Sequence, residues 1–258
     1  MGVPRDRVAG VMQVEIWSDV VCPWCAIGKR RFSHALARFT HREQVQVRWR
    51  SFELDPTAPR ERDGSLQDHL AGKYGTSPEQ ALVMIRQMTD TAATEGWEFH
   101  LEQSRGGNTV DAHRLLHLAA DRGVQDAMKE RLLRAYLTDG ERIGDPETLV
   151  RVAAEAGLNH DEAREVLASD RYTDAVRADE RQARAYGISG VPFFVVDQKY
   201  GVSGAQPADA LLEVLQTAWA DAHPLQVLTP AGDTATGDTA TGDTAAGDTA
   251  CADGSCAV

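Results

Sequence analysis

Cys22 and Cys25, three positions apart in "SDVVCPWCAIGKRRF", are the residues of this chain best suited to covalent chemistry. The stretch before them reads as a strand and the stretch after as a helix, so Cys22 falls at the junction and Pro23 at the first helical position. A thiol at a helix N-terminus faces unpaired backbone N–H groups and the positive end of the helix dipole. In Cys-X-X-Cys motifs the thiol pKa can fall from about 8.5 to between about 3.5 and 7.5. Cys22 is therefore expected to attack a disulfide as a thiolate, and Cys25, one turn inward, to resolve the mixed disulfide. The alternatives are a zinc half-site and an incidental pair.

Such a pair needs rigid elements beneath it. "QVEIWS" (13–18) has the alternation of a strand, "AIGKRRFSHALARF" has helical spacing with Ile27, Phe32, Leu36 and Phe39 apolar, and "VQVRWRSFEL" (45–54) alternates again. Helical patterns then follow one another. Ser77 and Pro78 form a cap-then-proline start, another helix begins near Thr109, and Val124, Met128, Leu132 and Tyr136 lie four apart on one face. Strand character returns at "VPFFVVD" (191–197) and "KYGVSG" (199–204), before a last helix carrying Leu211, Leu212, Leu215 and Trp219. The order β-α-β, six or so helices, β-β-α predicts an α/β protein: a thioredoxin fold with a large all-helical domain inserted between its βαβ and ββα halves. Residues 13–64 and 187–228 make the thioredoxin-like domain and 65–186 the helical insertion domain. Residues 1–12 are expected to be a mobile extension and 229–258 a disordered, low-complexity tail.

In such a sheet the Val191-Pro192 step lies at a strand start, where proline's missing N–H costs no ladder bond. It is expected to be a cis bond facing the cysteine pair, with the Val191 backbone able to pair with an extended substrate. With those elements in place, "EIWSDVVCPWCAIGKRRF", "NTVDAHRL" and "GISGVPFFVVD…YGVSGAQP" resemble the DsbA-like thioredoxin-fold oxidoreductases of the FrnE type, over roughly residues 13–222. The resemblance implies Cys22 and Cys25 as the redox pair, shaped by Pro23, Trp24, Val191 and the cis-proline Pro192. The same superfamily holds 2-hydroxychromene-2-carboxylate isomerases and kappa-class glutathione transferases, which typically carry serine where Cys22 stands. This chain keeps both cysteines.

Other candidates are weaker. Asn108, Thr109 and His113 match the family's "NT…AHR" segment as contacts for substrate or glutathione, or else simply cap and pack a helix. His113 and His117 have the spacing of two metal ligands, but no Glu follows His113, and no metal is expected. Ser203 and Gly204 open the last helix, where backbone amides suit an anion such as a glutathione carboxylate, or ordinary capping. Lys29, Arg30 and Arg31 read as a solvated face.

Composition bounds the setting. With 42% hydrophobic and 26% charged residues and a net charge of −12, the chain reads as globular and acidic, which argues against nucleic-acid binding. No apolar run approaches the roughly 18 residues of a membrane span, and no secretory h-region is evident at the start. The expected location is cytoplasmic, where paired cysteines are catalytic or metal-binding more often than structural. The tail repeats Gly-Asp-Thr-Ala-(Thr/Ala) and ends in "CADGSC", placing Cys251 and Cys256 beyond a linker with an expected span of roughly 25 Å. That reach makes them a candidate second redox pair, tethered at up to about millimolar effective concentration; metal capture and no role are the alternatives.

The reading is a thiol–disulfide oxidoreductase of the oxidase or isomerase type, acting on protein or small-molecule thiols and disulfides. It needs no cofactor, with glutathione a candidate co-substrate, and its oligomeric state, monomer or homodimer, is open. The alternatives are a glutathione-dependent isomerase or transferase for a small aromatic compound, and a redox-sensing chaperone or zinc-holding module.

Overall fold

The computed structural model describes residues 10–62 and 64–224; Cys251 and Cys256, residues 1–9 of the expected 1–12 extension and the tail from 229 lie outside them, while Met12, the last residue of that extension, is buried in the first strand. In chain order the elements are β1 (Met12–Ser18), α1 (Pro23–Arg38), β2 (Val45–Ser51), α2 (Leu66–Tyr74), α3 (Pro78–Thr94), α4 (Val110–Asp121), α5 (Gln125–Leu137), α6 (Pro146–Glu155), α7 (His160–Leu167), α8 (Thr173–Ala185), β3 (Phe193–Val196), β4 (Tyr200–Ser203) and α9 (Ala208–Ala222). The strands form one sheet in the order β2-β1-β3-β4, with β1 and β2 parallel and the other two pairings antiparallel. This is the thioredoxin fold with its helical insertion between β2 and β3.

β1 is central, and its two faces feed different cores. Val14 and Ile16 pack with Phe32 and Ala35 of α1 and with Leu211 and Leu215 of α9. Trp17, on the opposite face, packs with Ala183, Ile188 and Val195 beneath α8. The Trp17 indole N–H donates to the Asp179 carbonyl at 3.0 Å, so the one polar atom of the buried ring has a partner. Beside it Arg50 bridges Glu15 and Asp179, tying β1 and β2 to α8.

α1 is the shared wall between sheet and insertion. While Phe32 and Ala35 belong to the sheet core, Ala26 and Ile27 belong to a second core with Leu115, Leu118, Met128 and Leu132 of α4 and α5. Within the insertion α4 runs through the middle, with every residue from Ala112 to Ala119 buried. The start expected at Ser77 carries its cap, with Ser77 and Gln80 forming a capping box at α3; at α6 Asp145 accepts the Thr148 amide, and each has proline in the first turn, whereas Thr109 at the start of α4 makes no side-chain cap bond.

Two local expectations are corrected. α2, capped by Ser65, was not singled out in the sequence: it has nine residues, of which only Ala71 is buried, too little for a clear apolar stripe. Lys29, Arg30 and Arg31 are not a solvated face. Lys29 is buried between Asp126 and Glu130 at 3.0 and 3.1 Å, Arg30 reaches Glu130 at 2.6 Å, and Arg31 reaches Glu95 at 2.6 Å. These cations fasten α1 to α3 and α5, and their carboxylate partners lie 64 to 101 positions away in the chain, beyond any local pattern.

Candidate active site

Cys22 is the N-cap of α1. Its extended backbone (φ −96°, ψ 111°) turns the sulfur toward the open end of the helix, where Sγ accepts the Cys25 amide at 3.2 Å. Pro23 starts the helix without wasting an N–H. Both cysteines are free thiols; Cys22 is 4% exposed and Cys25 fully buried, while Trp24 projects at 38% exposure. Across the sheet the Val191–Pro192 peptide is cis, immediately before β3, and the Cys22 thiol donates to the Val191 carbonyl at 3.7 Å. Gly28 lets the Pro192 ring come close: a Cβ there would stand 2.9 Å from Pro192 Cγ.

The electrostatics differ from what the helix terminus alone predicts. The Cys22 thiol is pushed well above its ordinary value, first by the Cys25 thiol hydrogen-bonded to it, then by burial, and further by Asp19; the Cys25 amide pulls the other way. The helix end is outweighed by the neighbouring Cys25 thiol, by burial and by the Asp19 carboxylate.

Asp19, three residues before Cys22, is fully buried. Burial pushes its carboxyl up, but the His113 hydrogen bond and charge, the Leu54 amide and the charge of Lys129 together hold it below the usual range. Oδ1 accepts the Val20 amide at 2.7 Å and pairs with His113 Nε2 at 3.2 Å, and Oδ2 accepts the Leu54 amide at 2.8 Å. Asp19 is thereby locked as an anion. From below, Lys129 of α5, also fully buried, donates to the Ser18 carbonyl at 3.2 Å.

The remaining candidates divide. Thr109 lines the cavity beside Cys22, whereas Asn108 caps α4 by accepting the Val110 amide at 2.9 Å and donates to Ala58. His113 reaches the site through Asp19, while His117 pairs with Ser51 and Asp179, so the two histidines serve different partners. Ser203 and Gly204 do not line that cavity. The Gly204 amide donates to the Pro192 carbonyl at 2.9 Å, bracing the proline loop instead of waiting for an anion. Asp19 and Lys129 were not singled out from sequence. The only available signals were Asp19's place in "SDVVC" and the rarity of lysine, four against 23 arginines.

A cavity of about 220 Å³ opens beside the thiol, walled by Cys22, Trp24, Val191, Leu70, Met88 and Thr109. Arg62 also lines it, and the chain just before Arg62 lies so close to its neighbours that a Cβ on Gly107 or Gly144 would fall 2.2 or 2.0 Å from the Arg60 carbonyl oxygen. Arg62 and Lys73 bring positive charge to the same cavity, against Asp55, and His69 lies beside them. His69 is held below its usual value by burial and then by Arg62 and Lys73. Among the described residues no helix is long and apolar enough to cross a membrane.

Comparison with known proteins points the same way. The model of the DSBA-like thioredoxin domain matches residues 13–216. The crystal structure of a probable DsbA oxidoreductase from Streptomyces coelicolor is 46% identical, with a TM-score of 0.79 over 84% of this chain and 94% of that one. A 2-hydroxychromene-2-carboxylate isomerase shares the fold at 14% identity, with a TM-score of 0.62 over 81% of this chain and 97% of its own. The uncharacterized protein YwbO of Bacillus subtilis is 26% identical over 198 residues, 72% of this chain and 86% of its own.

Proposed function

We infer the function from one premise: this chain belongs to the family of DSBA-like thioredoxin domains. Its reaction is thiol–disulfide exchange, with Cys22 as the attacking sulfur, Cys25 as the resolving one, and protein or small-molecule disulfides as substrates. The observation that carries this reading is the placement of Cys22 Sγ, at the N-cap of α1 and 3.7 Å from the carbonyl before the cis-proline. A substrate disulfide laid against Trp24 and Val191 would be attacked by Cys22, forming a mixed disulfide and releasing one substrate thiol. Cys25 then attacks Cys22 Sγ, closes the internal disulfide and releases the second thiol. A neutral, raised Cys22 thiol favours the reducing or isomerising direction over strong oxidation, because strongly oxidising pairs owe their potential to a stabilised thiolate. The cytoplasm is the proposed setting, consistent with cysteines held in a reactive pair. The test is insulin reduction and reactivation of scrambled ribonuclease, with wild type against Cys22→Ser. Activity in wild type and its loss in the variant are expected; activity surviving Cys22→Ser overturns the assignment.

A glutathione-dependent isomerase or transferase is the second reading, favoured by the cavity beside Cys22 and the cations Arg62 and Lys73, which suit a small anionic thiol. Tight glutathione binding that is equal in the dithiol and disulfide forms would support it. Absence of saturable binding, together with disulfide reduction, would eliminate it.

A further inference from the structure

A second cavity, of about 250 Å³, adjoins the one beside Cys22, and Arg62 and Gly106 line both. Its described lining carries four arginines, Arg60, Arg62, Arg105 and Arg142, against one carboxylate, Glu61. In a chain with a net charge of −12, that is a local reversal of sign. The segments that carry these arginines are fastened together through backbone. The Arg62 amide donates to the Gly106 carbonyl at 2.9 Å, and Arg105 and Arg142 pair across an isolated β-bridge. Gly144 lies against the Arg60 carbonyl with no room for a Cβ. Like charges on paired strand positions repel, so the fold holds Arg105 beside Arg142 against that repulsion. Internal carboxylates relieve it only in part. Arg60 reaches Asp111 at 3.1 Å, but Asp111 is also held by Arg114 at 2.8 Å, and Arg62 is taken by Asp55. Arg142 meets Glu61 at 3.2 Å, with both side chains more than half exposed. Among the described residues, Arg105 has no carboxylate partner.

We propose that this arginine cavity binds the phosphate end of a low-molecular-weight disulfide whose sulfur lies at Cys22, so that the chain reduces phosphate-bearing disulfides. The inference rests on the exchange reading above and names its substrate class. A guanidinium presents a planar fork that matches two oxygens of a phosphate. A single carboxylate engages one such fork, whereas a phosphate or pyrophosphate has the oxygens and the charge to engage several. Between the two anchors the first cavity offers Leu66, Leu70 and Met88, a wall suited to the uncharged arm that joins sulfur to phosphate. Glu61, exposed and paired with Arg142, gives way to the incoming phosphate. In the reaction Cys22 attacks one substrate sulfur, the substrate S–S bond breaks and the first thiol leaves. Cys25 then attacks Cys22 Sγ and the second thiol leaves. The two electrons and two protons of the Cys22–Cys25 dithiol end on the two substrate thiols, and the protein disulfide replaces the substrate's.

The experiment mixes the pre-reduced full chain with one of two disulfides that share an arm: coenzyme A disulfide, which carries phosphates, and pantethine, which does not. Closure of the Cys22–Cys25 disulfide is followed in a single turnover by acid quench, alkylation and mass spectrometry. At sub-saturating concentration coenzyme A disulfide should react faster by at least about tenfold, as one charge-assisted hydrogen bond supplies. The preference should shrink as added salt screens the arginines. Arg105→Gln should cut the ratio of the two rates by at least about threefold, and adding Arg142→Gln should bring it near one. Inorganic pyrophosphate should slow the reaction of coenzyme A disulfide and not that of pantethine. Equal rates for the two disulfides in the wild type overturn the proposal, leave exchange chemistry intact and need no variant to fold. A preference undiminished in the double variant overturns the assignment to this cavity. Pyrophosphate binding by calorimetry without any preference would mean a site for free phosphate, and would overturn the substrate claim. A chain that reacts with neither small disulfide yet reduces insulin overturns the proposal alone; one that does neither overturns the oxidoreductase reading itself.

Discussion

At the residue scale, the site is governed by a contest over charge at Cys22. The helix end and the Cys25 amide favour a thiolate; Cys25, burial and Asp19 oppose it and prevail. Asp19→Asn removes one opposing charge while keeping the side chain's shape. Its expected effect is alkylation of Cys22 by iodoacetamide at pH 7 faster by up to about tenfold, read by peptide mass spectrometry. An unchanged rate would remove Asp19 from the account. Lys129 has a measurable cost of its own. Its folded pKa of about 8 lies below the unfolded value, so the unfolded chain binds the extra proton between pH 8 and 10.5. The penalty is therefore complete below pH 8, at most about 3 kcal/mol by linkage, and vanishes as pH rises through 10.5. Lys129→Met should stabilise the reduced protein in urea unfolding at pH 7, by about 1–3 kcal/mol, and the gain should shrink toward pH 10.5. A gain independent of pH would mean that packing, not charge, is responsible.

At the element scale, α1 does three jobs with separate faces. It presents Cys22 at its N-cap, closes the sheet core with Phe32, and enters the insertion core with Ile27. Gly28 lies on the remaining contact, against the Pro192 ring. In a typical helix interior Gly→Ala gains about 0.5–1 kcal/mol. Here the added methyl would meet Pro192 Cγ at 2.9 Å and Phe194 at 3.5 Å, neither of them a flexible chain end. Gly28→Ala should therefore destabilise by about 1–3 kcal/mol and displace the proline loop from Cys22. Thermal unfolding and insulin-reduction rate measure both; a more stable variant would contradict the packing described for this contact.

At the scale of the whole molecule, the helical insertion is joined to the redox half by shared chemistry as well as by a shared core. α4 contributes His113 to Asp19, α5 contributes Lys129, and α2 and α3 wall the cavity beside the thiol. Cys251 and Cys256 add a proposal that rests on sequence alone: a tethered dithiol that exchanges with the Cys22–Cys25 disulfide. Replacing both with serine should slow turnover severalfold, and a Cys25→Ser background should trap a Cys22–Cys251 species visible by mass spectrometry. Unchanged turnover with no trapped species would retire the relay.

The sequence by itself determined the parts whose physics is local. Strand alternation, cap-then-proline helix starts and the Cys-Pro-Trp-Cys spacing need only neighbouring residues to be read. For that reason the β-α-β, helices, β-β-α order and the position of Cys22 at a helix start were legible. The "GVP" step before β3 was legible as well, through proline's missing donor. The tertiary structure alone decided what surrounds the thiol. Asp19 and His113 are 94 positions apart, Ser18 and Lys129 are 111 apart, and Lys29 finds Asp126 97 positions away. Charge acts through space and burial is a property of the assembled cores, so no pattern along the chain could announce that a lysine of the insertion is buried against the Ser18 carbonyl at the end of β1. For the same reason, spacing could not reveal that Gly204 braces the proline loop.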